Sequence, residues 1–155
     1  MKIVGLAYVA FLLVSLLGMT LRSIPLQLVA NATGFLLAVL LYRLFAPGDP
    51  LIALALLPLA LIHYVIQGVG QLRAEPAMLR LALVPFAAYL VVLGYLIARS
   101  TFAPVALGLL IAVAGLAWLI GVVPRVSTWF TLAAVLFGIA AEVTLATWLL
   151  IAPQR

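Results

Sequence analysis

Glu142 lies inside the apolar run Val135–Ile151, well away from both ends of a helix long enough to cross a bilayer. An ionisable side chain at that depth costs a few kcal/mol or more to place, so the carboxyl must face a partner group or a wet cavity rather than lipid. His63, Gln67 and Gln71 stand four residues apart and form one polar stripe on another such helix. At ~1.5 Å rise per residue, His63 falls roughly 20 Å and Glu142 roughly 14 Å from the face that carries the termini. Two side chains or a bridging water span the remaining gap. Asn31 comes out at a depth similar to Gln67, and Tyr89 close to mid-membrane. If their helices are neighbours, Asn31, His63, Gln67, Tyr89 and Glu142 are the candidate lining of a polar interior or ligand pocket. Arg43, near the same side as Glu142, is its simplest ionic partner.

The same inventory sets several chemistries aside. A retinal Schiff base needs a mid-membrane lysine, and the one lysine is Lys2. A six-coordinate haem needs two axial ligands, whereas His63 is the sole histidine and Met19 and Met78 sit near helix ends. One His and one Glu are too few for zinc. Ser23, Ser100 and Ser127 fall at interfaces, out of reach of His63, and Ser15 lacks a nucleophile-turn context. No glycine loop of the phosphate-cradling kind is present, and the absence of cysteine removes disulfides and thiolate metal ligands. These residues therefore assign no catalytic group, no cofactor and no metal.

The elements that must position this small polar set are apolar and membrane-length. Of 155 residues, 69% are hydrophobic and 7% charged, with a mean hydropathy of +1.44. One small globule cannot bury that much apolar surface in water. Six segments of spanning length follow, at 3–21, 25–45, 51–72, 77–98, 102–123 and 127–151. Proline near helix starts and arginine at helix ends punctuate them. Connections this short make successive helices antiparallel, so the fold class is all-α: a polytopic transmembrane bundle of six antiparallel helices in one domain over 1–155. Lys2 and the apolar run after it, with no small-x-small cleavage site, read as an uncleaved first helix. Pro58 and Pro85 mark possible kinks. Trp118, Trp129 and Trp148 fall near helix ends, where an aromatic belt sits.

The formal charge of +5 comes from basic residues spread singly at helix ends, where they meet headgroup phosphates, so no nucleic-acid partner is expected. Lys2, Arg43, Arg99 and Arg155 balance Arg22, Arg73, Arg80 and Arg125, four on each side, and leave orientation undecided. Gly108 with Ala112, Ala117 with Gly121, and Ala134 with Gly138 repeat small residues at four-residue spacing. Such positions let helix backbones approach closely, within the bundle or, less simply, across a homodimer contact.

The fourth and fifth helices read Phe86-x-x-Tyr89-Leu-Val-Val-Leu-Gly94-Tyr95-Leu-x-x-Arg99-Ser100, then Pro104 and Leu107-Gly108-x-Leu-x-x-x-x-Gly115. The sixth reads Gly138-x-x-x-Glu142-x-x-x-x-x-Trp148-Leu-Leu, and the second offers Asn31-x-x-Gly34 and Leu41-Tyr42-Arg43-Leu44. Over most of its length the chain resembles the bacterial membrane family known as domain of unknown function 4386. It is shorter than typical members and has Val105 where the family usually places a basic residue. The resemblance implies six helices in a bacterial inner membrane, and it supplies no reaction.

The functional expectation is an integral membrane protein without an evident catalytic site. It binds a lipid-like or other hydrophobic small molecule, or serves as an accessory subunit of a membrane complex. Expected partners are membrane lipids, a hydrophobic ligand and a homo- or hetero-oligomeric neighbour. Two alternatives stay open: a small-solute or proton-coupled transporter using Glu142 and His63, and an intramembrane enzyme acting on a lipid or quinone. The two halves show no convincing three-plus-three repeat, which weighs against transport.

Overall fold

Local signals account for where each helix starts and stops. The computed structural model describes residues 1–123 and 126–152. Its helices are α1 (Lys2–Thr20), α2 (Ile24–Phe45), α3 (Pro50–Leu54), α4 (Leu56–Arg73), α5 (Pro76–Arg99), α6 (Val105–Trp118) and α7 (Thr128–Ile151). A 3₁₀ turn over Leu119–Val122 extends α6. Pro25, Pro50 and Pro76 occupy first-turn positions, where the missing N–H has no helical acceptor to lose. The Asp49 side chain accepts from Ile52 N–H at 3.1 Å and caps α3. α1 and α4 end alike: Ser23 N–H donates to Gly18 O at 3.1 Å, and Glu75 N–H to Gly70 O at 2.9 Å. In each closure one residue, Arg22 or Ala74, takes φ of 51°.

Taking Pro50–Arg73 and Val105–Val122 each as one span, six helices are long and apolar enough to cross a membrane. The chain is an all-helical, multi-pass membrane protein. Two of the expected segments need correcting. The 51–72 helix is interrupted at Ala55, because Pro58 cannot donate to Leu54 O and its ring crowds that carbonyl. Pro85, by contrast, lies inside an unbroken α5. The 102–123 helix starts only at Val105, after Pro104 in extended conformation, and tightens to 3₁₀ after Trp118. Arg125 and Arg155, two of the eight residues in the charge balance, lie outside the described residues, as does part of the last connection.

Helix adjacency gives the architecture. Taking α3 with α4, each span packs on the next along the chain, and α7 returns to pack on α1. The six spans thus form a closed ring. Its two halves differ. Toward the face carrying the termini, the interior is filled by Val4, Leu41, Leu93, Ile97, Ile111, Leu145 and Leu149. Toward the opposite face, where α1 joins α2 and α4 joins α5, the ring is hollow.

The small-residue positions hold the ring closed. A Cβ on Gly94 would meet Gly108 O at 2.5 Å and Ala112 N at 2.7 Å, and one on Gly138 would strike the Trp118 indole. A Cβ on Gly121 would meet Leu83 at 2.8 Å. The four-residue pattern is therefore used inside the bundle.

Candidate functional site

The hollow half holds a cavity of about 450 Å³. Every span contributes to its wall. α1 supplies Phe11 and Ser15, α2 supplies Gln27 and Asn31, and α4 supplies His63, Tyr64, Gln67 and Gln71. α5 adds Ala82 and Phe86, the end of α6 adds Trp118, and α7 adds Ile139 and Glu142. Asn31, His63, Gln67 and Glu142, singled out in the sequence, thus line one space. Glu142 is 4%, His63 6% and Asn31 8% exposed. Met19 and Ile139 line the same cavity yet are 60% and 38% exposed. Part of the cavity wall, at the end of α1 and on α7, is thus also exposed at the outer surface.

Helix geometry explains which amides pair. Gly68 on α4 presents bare backbone to Asn31, whose Nδ2 lies 3.5 Å from the position a Cβ would take. That close approach brings Asn31 Nδ2 to Gln71 Oε1, to which it donates at 2.9 Å. Gln27 Nε2 donates to Gly18 O at 3.2 Å and ties α2 to the end of α1. Gln67 is left out: its Oε1 is buried without a donor.

His63 is held from two sides. Its Nδ1 lies 2.8 Å from Ala82 O on α5. A carbonyl only accepts, so Nδ1 carries the proton in this contact and Nε2 is the acceptor of the neutral ring. The imidazole also stacks on Phe86, with centroids 4.7 Å apart at 25°, and meets Tyr64 edge-on at 4.6 Å. From there the aromatic wall continues: Phe86 to Trp118 at 5.7 Å, and Tyr64 to Phe11 and on to Tyr8, each at 6.3 Å.

Glu142 faces this wall from α7. The Tyr8 hydroxyl and the Trp118 indole N–H are the donors beside its carboxyl. Trp118 Nε1 is nonetheless buried with no acceptor in bonding geometry, so the indole is a neighbour of the carboxyl without a formed hydrogen bond. Among the described residues lining the cavity there is no lysine or arginine. Arg43 is exposed on α2 and absent from the lining, so the expected Glu142–Arg43 pair is not made. The carboxyl lies deep inside the bundle while that arginine turns outward.

Tyr89 also departs from expectation. It is buried, stacks on Phe86 at 6.3 Å and contributes to the packed core rather than to the cavity wall. It remains within electrostatic range of Glu142, as do Tyr8 and Tyr64. Sequence reasoning missed Tyr8, Tyr64 and the inward role of Trp118. Tyr64 directly follows His63 and Tyr8 is one tyrosine in an apolar run, so neither adds to the polar stripe. Trp118 reads as a belt residue from its place near a helix end, but its ring turns inward onto Phe86 and over Gly138.

Residues 76–152, the stretch from α5 through α7, match the model of a family described as domain of unknown function (DUF4386). The match takes in Phe86, Trp118 and Glu142, and it leaves Asn31, His63 and Gln67 outside. No curated protein and no solved structure matches the chain.

Proposed function

We propose, from the premise that over residues 76–152 the chain belongs to the domain of unknown function 4386 family, that it binds a hydrophobic small molecule with a polar end inside its helical ring. The observation that carries this reading is the cavity of about 450 Å³, a size usual for small-molecule sites, with apolar and aromatic walls and few polar groups. An interior needed only for packing has no reason to stay hollow in one half while the other is filled by leucine and isoleucine. Met19 and Ile139 belong both to the cavity lining and to the exposed surface, which supports entry from outside the bundle. The setting that the family resemblance favours is the cell inner membrane.

The test uses a solvatochromic probe. Nile red added to the purified protein in lipid nanodiscs should show saturable binding above that of empty nanodiscs. Ser15→Trp, which fills the cavity from α1, should remove the saturable component while leaving the thermal unfolding midpoint near that of the parent. Saturable binding of equal strength in both proteins would place the probe elsewhere and defeat the reading.

A further inference from the structure

The polar groups of the cavity are unbalanced in a way that bears on what it takes. The Glu142 carboxyl is 4% exposed, and among the described residues lining the space there is no lysine or arginine. Gln67 Oε1 is a buried acceptor without a donor, whereas Glu142 has the Tyr8 hydroxyl beside it and lacks a counter-charge. The one imidazole has its Nδ1 committed to Ala82 O. Of the amides, Asn31 and Gln71 satisfy each other and Gln27 is tied to Gly18. Among the described residues, Trp118 Nε1 and Trp148 Nε1 are buried donors without an acceptor; of the two only Trp118 lines this cavity, and it is a neutral N–H. Facing these groups is a run of aromatic rings, with Phe86 between His63 and Trp118.

Resting on the proposed binding role, we infer that the ligand is an organic ammonium ion with an apolar or aromatic body. An ammonium brings N–H donors for Glu142 and Gln67 Oε1, and its positive charge offsets the carboxylate that the protein itself leaves uncompensated. The rings of Trp118 and Tyr64 in the cavity lining attract a cation through the ring quadrupole, most strongly where water is excluded. A carboxylate or phosphate ligand meets the opposite: one acid already present and no cation to receive it. A purely hydrocarbon ligand leaves Gln67 Oε1 unsatisfied and the Glu142 charge uncompensated.

The experiment compares three probes that share one apolar body: 4-phenylbutylammonium, 5-phenylpentanoate and uncharged pentylbenzene. Each is titrated into the intact protein in nanodiscs, with empty nanodiscs subtracted. The ammonium should bind at least tenfold more tightly than the carboxylate. Glu142→Gln should weaken the ammonium by tenfold or more relative to pentylbenzene. Gln67→Leu, a second variant that does not touch the acid, should weaken the ammonium severalfold relative to pentylbenzene. Saturable pentylbenzene binding with no preference for the ammonium overturns the charge inference and keeps the hydrophobic-ligand reading. Saturable binding by none of the three, together with no Nile red binding, overturns both.

Discussion

Glu142 is the residue whose energetics the structure changes most. Paired with an arginine, its removal would strand a buried cation and cost several kcal/mol. Among the described residues no such cation lines the cavity, so the acid is a liability to the fold. Glu142→Gln keeps the shape and an acceptor for Tyr8 and Trp118, and removes the ionisable group. It should stabilise the protein by on the order of 1 kcal/mol, seen as a raised thermal midpoint in detergent. A lowered midpoint would mean that the carboxyl has a structural partner. The depth arithmetic brought Glu142, His63, Gln67 and Asn31 to one space because spanning helices fix height along the normal. Tyr89 shows its limit: height says nothing about rotation, and one face of α5 meets the cavity while another meets the core. Tyr8 and Tyr64 escaped notice because an aromatic ring inside an apolar helix carries no mark of which neighbour it will stack on.

At the scale of the elements, termini and breaks follow from a few residues. Ala74 closes α4 at φ 51°, in the left-handed region where a Cβ is strained. Ala74→Gly relieves that strain, worth roughly 1 kcal/mol, and should raise the unfolding midpoint. Gly94 belongs to the tightest helix crossing, where α5 meets α6 with backbone against backbone. Gly94→Leu should wedge the two apart and destabilise by about 1–3 kcal/mol, measured by the same thermal unfolding. Helix number and length were legible because hydrocarbon thickness demands them, and proline and arginine marked the ends to within a few residues. The interruption at Ala55 was legible only as the presence of Pro58. Whether a proline breaks a helix depends on neighbours able to satisfy the freed carbonyl. In α5 the carbonyl that Pro85 frees is Leu81 O, one residue before the Ala82 O that His63 bonds, and the helix runs on unbroken.

For the whole molecule, six antiparallel spans place the α2–α3 and α5–α6 connections on the side of the N-terminus, and the α1–α2 and α4–α5 connections opposite. The chain has no cysteine of its own, so single introduced cysteines report cleanly. Gly48→Cys and Thr101→Cys should react with an impermeant thiol reagent from one side of sealed vesicles, and Ser23→Cys and Glu75→Cys from the other. All four reacting from one side would refute the topology. The closed order of the ring was not legible. Short connections make each span a neighbour of the next, but nothing in the sequence says that the last returns to the first. Nor did the sequence say that the interior would be full at one end and hollow at the other.

That return contact has a consequence for biosynthesis. α1 leaves the ribosome first and α7 last of the six, so five helices already lie in the bilayer before the wall carrying Glu142 arrives. Until then Gln67, whose Oε1 has no donor even in the closed ring, stands in an open trough, where an unsatisfied amide is costly. The helix that closes the ring is the one that brings the acid.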